Sequence, residues 1–146
     1  MSKRSSIVKA LSEKFKEIDG TGPYQSNIFS NSYPKLKFWD EVQDFPCIYM
    51  SPGNEQREYL PGDFKWGFLN ISVKVYVRSE DESQEQLEAL LADIETCVDA
   101  NRVLKYNVDD PSLETTEILI QSITTDEGLL APYGVGEINL EVRYAL

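Results

Sequence analysis

The sequence contains no histidine, only two cysteines, and far fewer bases than acids: 14 Lys and Arg stand against 25 Asp and Glu, a net charge of −11. Each shortage excludes something. Without His, the usual general base near neutral pH, the commonest zinc ligand and every Ser/His or Cys/His nucleophilic pair are missing. Cys47 and Cys97 lie far apart with no C-x-x-C spacing, so reduced, packed thiols are expected. The acid excess excludes a broad basic face that would grip DNA or anionic lipid. No apolar run approaches the length of a membrane span. Met1-Ser2-Lys3-Arg4 leads straight into an amphipathic pattern, without the apolar core of a signal peptide, so cytosolic synthesis is the expectation.

What remains is 146 residues with 41% hydrophobic and 11% aromatic content, enough for one packed core. Ile7, Leu11, Phe15 and Ile18 recur at helical spacing and stop at Asp19-Gly20-Thr21-Gly22-Pro23, predicting a first helix over about 5–19. Its neighbourhood is basic: Lys3, Arg4, Lys9, Lys14 and Lys16 face one acid, Glu13. Residues 20–44 read as an irregular connection pinned by Tyr24, Phe29, Tyr33, Phe38 and Trp39. Phe45 to Met50 is a short apolar strand closed by Ser51-Pro52-Gly53, and strict alternation from Leu69 through Val77 marks another strand, which contains the sequon-like Asn70-Ile71-Ser72. Between them, Glu55 to Trp66 carries Tyr59, Phe64 and Trp66, more apolar surface than a solvated loop needs, and predicts an extended hairpin arm.

Ser83 with Gln86 three residues on reads as a capping box, and Leu87, Leu90, Leu91, Ile94 and Val98 form one stripe, so a second helix is expected over about 83–100. From Ser79 to Ala100 there are eight acids, Glu85 and Glu88 among them, and no base. After a turn at Asn107 to Pro111, strands are expected at Glu117–Thr125 and Glu137–Leu146. The connection between them holds Leu129, Leu130 and Tyr133, and apolar side chains at a Gly/Pro-rich tip call for a cover. Helix, strand, strand, helix, strand, strand describes a single α+β domain: a mixed or antiparallel sheet of about four strands, with two helices on one face.

Chemistry is scarce. Glu80-Asp81-Glu82, Asp109-Asp110 and Asp126-Glu127 lack EF-hand or two-metal spacing, and there is no P-loop, G-x-G-x-x-G or G-x-S-x-G. No cofactor, metal or catalytic residue is expected, and composition leaves a soluble acidic interaction domain.

Three stretches carry a resemblance: Phe45-Pro46-Cys47-Ile48-Tyr49 with Pro52-Gly53-Asn54-Glu55, Gln84 through Ile94, and Thr125 through Gly134 with Glu137-Ile138-Asn139-Leu140 and Val142-Arg143-Tyr144. In this order they resemble the tail terminator proteins of long-tailed bacteriophages across nearly the whole chain. The resemblance implies a structural virion protein, assembled in the host cytoplasm as a hexameric homo-oligomeric ring on the head-proximal end of the tail tube. It implies partners in the tail tube protein, a head-completion or neck protein and the end of the tape-measure protein, with DNA transiting the lumen unspecifically and no membrane. On this reading Tyr59, Phe64, Trp66, Leu129, Leu130 and Tyr133 are expected at subunit or tube contacts, and Lys3, Arg4 and Lys9 are expected to pair with Glu85 and Glu88 of a neighbour. A neck connector on the portal side, or a metal-dependent phage nuclease, are the alternatives that the residues leave open.

Overall fold

The computed structural model describes residues 2–146. Helix α1 spans Lys3–Phe15, strand β1 Ser32–Tyr33, β2 Cys47–Leu60, β3 Phe64–Arg78, helix α2 Ser83–Ala100, β4 Thr115–Thr125 and β5 Tyr133–Ala145. The strands form one sheet in the order β1-β2-β3-β5-β4. All neighbours are antiparallel except the short β1, which runs parallel to β2 through Ser32 opposite Ile48 and Tyr33 opposite Tyr49. The domain is therefore α+β, with five strands rather than about four, and the extra strand comes from the stretch read as irregular.

Both helices lie on one face because their apolar stripes meet the same side of the sheet. Ile7, Leu11 and Phe15 of α1 and Leu87, Leu90, Leu91 and Ile94 of α2 join Leu69, Ile71, Val73 and Val75 of β3 and Ile138, Leu140 and Val142 of β5 in one buried cluster. Each such side chain contributes about 1.5–3 kcal/mol on leaving water. Gly134 and Gly136 let α2 approach closely: a Cβ on Gly134 would fall 2.7 Å from Val77 and 3.0 Å from the Ser83 carbonyl.

Helix boundaries differ from those expected. Ser2 caps α1, its hydroxyl accepting from the Ser5 N–H, and the helix ends at Phe15 although Ile18 still packs in the core. The capping box at Ser83 does not form: Glu82 holds the cap position without a side-chain bond, and Ser83 is a buried helical residue. Instead the Ser79 hydroxyl accepts from the Glu82 N–H one turn earlier. Strand β2 also runs through Ser51-Pro52-Gly53 instead of stopping there, because β1 covers only its start and the missing Pro52 N–H points to an unpaired edge. The register against β3 shifts between Pro52 and Glu55, as in a bulge.

A second, smaller cluster sits on the face away from the helices. Val42, Cys47, Tyr49 and Tyr76 are buried there beneath Tyr33, Trp39, Phe45 and Val135, and the Tyr76 hydroxyl donates to the Lys37 carbonyl at 2.6 Å. Tyr33 and Trp39 thus pin the 20–44 connection as expected, whereas Phe29 and Phe38 point to solvent. Asp93 pins it from the other side. It is the one acid of the α2 run that turns inward, and its carboxylate accepts from the N–H groups of Gln25 at 3.0 Å and Ser26 at 2.7 Å.

Candidate assembly surfaces

The expected arm is a continuation of the β2–β3 ladder. Pairing persists to Leu60 opposite Phe64, and the chain reverses through Pro61-Gly62-Asp63, where Gly62 and Asp63 take positive φ values of 82° and 64°. Strand β5 accompanies β3 only as far as Trp66 opposite Ala145, so the tip projects beyond the sheet with no third strand. Tyr59 and Phe64 are about two-thirds exposed, at 65% and 66%, and Leu60 is exposed beside them. Trp66 is half-buried at the root. By strand alternation, Phe64 and Trp66 share the face away from the helices, while Tyr59, opposite Lys65, lies on the helix side.

The root is held by a buried carboxylate. Glu55, whose side chain is 3% exposed, forms an ion pair at 2.8 Å with Arg57 and accepts from the Tyr144 hydroxyl. Burial, then the Glu55 contact, pushes the Tyr144 phenol well above its ordinary range. Arg4 of α1 donates to the Gly53 carbonyl within the bulge.

The second surface is the β4–β5 connection. Asp126 organises it, accepting from the N–H groups of Leu130 at 3.0 Å and Val135 at 3.1 Å and from the Gln84 amide at 3.1 Å. Burial alone would raise this carboxyl, but these donors outweigh it and hold it below the ordinary carboxylate range. The result is a tight loop that presents Leu129 at 85% exposure, with Leu130 half-buried beneath it. Tyr133 is engaged within the chain: its ring lies 5.3 Å from Trp39, 5.6 Å from Phe45 and 5.5 Å from the Arg78 guanidinium.

The structure does not bring the two apolar surfaces together. Trp66 and Arg78 stand near opposite ends of β3, the first at the arm root and the second paired with Tyr133. Twelve residues at roughly 3.4 Å each put about 40 Å between the two ends. The charged candidates divide as well. Lys3 and Lys9 on α1 and Glu85 and Glu88 on α2 have no ion-pair partner among the described residues, whereas Arg4 is occupied by Gly53. No group of three or more Cys, Asp or Glu is placed to hold a metal among the described residues.

Sequence reasoning missed one feature, an apolar cleft on the open face lined by Leu36, Phe38, Trp39, Lys74, Tyr76 and Val135. Its only sequence signal was the aromatic content of the 20–44 connection.

Comparison with known proteins decides the family. A family model described as Bacteriophage Tail Tube Terminator Protein matches residues 1–146. The tail tube terminator protein p142 of Escherichia phage T5 is 40% identical over 152 residues, an alignment covering 99% of this chain and 94% of that one. The chain belongs to the tail tube terminator family. It is thus a structural component of a phage tail and not an enzyme, and membership implies association with the tail tube. The same fold occurs in a chain from the virion of native gene transfer agent (GTA) particle, with a TM-score of 0.61 at 10% identity over 96% of this terminator and 95% of that chain.

Proposed function

We propose that this terminator closes the head-proximal end of the tail tube as a hexameric ring, stops tube growth there, and offers the filled head its docking surface. DNA passes through the ring without being bound specifically. The observation that carries this reading, beyond family membership, is the pair of exposed apolar projections about 40 Å apart on one small domain. Contacts in a ring are heterologous, so each copy needs two different surfaces, and the arm and the Leu129 loop supply two candidates. Tyr59, Phe64 and Trp66 serve one contact and Leu129 and Leu130 another, with Tyr133 bracing the second from within.

Charge supports the same arrangement. Glu85 and Glu88 of α2 and the bases Lys3 and Lys9 of α1 have no ion-pair partner among the described residues, and Glu85 and Glu88 of one copy pair with those bases on its neighbour. The tube protein meets the ring on one side; a neck protein meets it on the other, and the end of the tape-measure protein signals where growth halts. Purified terminator added to tube protein during polymerisation tests this. Growth should stop with a cap at one end of each tube, and unabated elongation would overturn the reading.

A further inference from the structure

The two edges of the sheet are built differently. On one edge, β2 carries β1 at its start and Pro52 and a bulge in its middle. These are the ordinary devices by which an edge avoids unwanted pairing. On the other edge, β4 has no covering strand and no proline, although its register against β5 shifts between Thr115 and Glu117 and between Ile120 and Ser122. Its 11 residues, Thr-Thr-Glu-Ile-Leu-Ile-Gln-Ser-Ile-Thr-Thr, include a single charge, Glu117, and no Pro, Gly or Lys. This is unusual in a chain that is 27% charged. Beyond Thr115, whose N–H donates to the Leu104 carbonyl, no backbone bond reaches its outer side among the described residues. A long, β-prone, nearly uncharged edge invites an extended strand.

Strand direction and side-chain placement say which strand fits. Strand β5 is antiparallel to both β3 and β4, and β2 is antiparallel to β3, so β4 and β2 run in opposite senses. Repeating the domain in one orientation therefore sets β4 of one copy antiparallel to β2 of the next, and sliding the second copy along the strands by about eight residues, roughly 27 Å, brings Tyr59 (level with Lys65 of β3) to the level of Ile123 (opposite Ile138 and so level with Val73). The unpaired outer edge of β2 past the bulge is Glu55–Leu60, which is the arm. Tyr59 sits on the helix side of its strand, and so does Ile123, which is opposite the buried Ile138. Both are exposed in the single chain, at 65% and 44%, and edge pairing would bring them onto one face.

We infer that the free edge of β4 takes the arm segment Glu55–Leu60 of a second copy as an added antiparallel strand. This rests on the ring reading above and specifies one of its contacts. The pairing joins backbone to backbone, while Tyr59 of one copy covers Ile123 of the next.

Cross-linking tests it on tails assembled with the full chain carrying Tyr59→Cys and Ile123→Cys. The natural thiols do not compete, since both are buried and burial pushes the Cys47 thiol up to about 12. Mild oxidation should convert the terminator on these tails into a covalent ladder, which neither single variant gives. Capped tails of normal length that yield only monomer would overturn the edge pairing and leave the terminator role standing. Absence of the protein from tail ends would remove both. Hydrogen exchange on the unaltered chain gives a second reading: exchange of Thr116–Thr125 amides should be lost on assembly, and unchanged exchange there contradicts the pairing.

Discussion

Gly67 lies against the ring of Tyr144, so close that a Cβ added to it would stand 2.8 Å from Cε1. Tyr144 is fully buried and its hydroxyl is spent on Glu55, so the ring has nowhere to retreat. This contact fixes how the arm leaves the sheet. Gly67→Ala should cost about 1–3 kcal/mol through overpacking. Urea unfolding should show a lower midpoint with an unchanged slope, and an unchanged midpoint would mean that the ring moves freely.

Tyr144→Phe probes the same root through its polar half. It removes a donor from Glu55, whose side chain is 3% exposed, and leaves Arg57 as the remaining partner. A loss of about 1–3 kcal/mol is expected, again read by urea unfolding, because a buried acceptor left short of a partner bears its desolvation penalty.

The folding pattern was largely legible where periodicity and packing agree. The stripes of α1 and α2 and the alternation of β3 and β5 follow directly from Ile7 through Phe15, Leu87 through Val98, Leu69 through Val77 and Ile138 through Tyr144. Features set by tertiary contacts were not. Strand β1 is two residues long and exists because the Asn31 carbonyl accepts from the Ile48 N–H, which no local pattern announces. Ser83 has the spacing of a cap but is drawn into the core beneath Gly134. Asp93 belongs by sequence to an acidic run, yet it turns inward to hold Gln25 and Ser26. The arm and the Leu129 loop were visible as apolar excess on connections; their separation at opposite ends of β3 required the strand register.

Leu129→Asp separates assembly from folding. At 85% exposure the side chain contributes little to the folded monomer, so its melting temperature should be nearly unchanged. Tube capping, scored by negative-stain electron microscopy, should be lost. Full capping by this variant would remove the loop from the interface. Leu130→Asp should also lower stability, because Leu130 is half-buried.

Of the four carboxyls held below their ordinary range, Asp19 and Asp110 lie exposed to solvent, and acid sensitivity should trace chiefly to the two that are partly buried. Asp126 is held below the ordinary range by backbone donors despite its burial, and Glu137 is lowered chiefly by its bond to Lys74 at 2.8 Å. A depressed carboxyl contributes stability above its unfolded value, near pH 4, and that contribution is lost as the pH falls through the folded value. Thermal melts should therefore drop on the acid side of about pH 4, and Asp126→Asn should flatten part of that fall. An unchanged acid profile in the variant would show that Asp126 is not a contributor.

Charge reversal tests the pairing between copies. Lys9→Glu or Glu88→Lys alone should weaken ring formation, and the two together should recover part of it, with about 0.2–1 kcal/mol of coupling for a solvent-exposed pair. The recovery should shrink as salt rises. Additive losses with no recovery would separate these residues.

The most direct test of the terminator account is electron microscopy of lysates from the parent phage with this gene silenced. Overlong or unjoined tails beside DNA-filled heads are the predicted result. Tails of normal length, with heads that leak or lack a neck, would contradict it and place the protein on the head side of the joint.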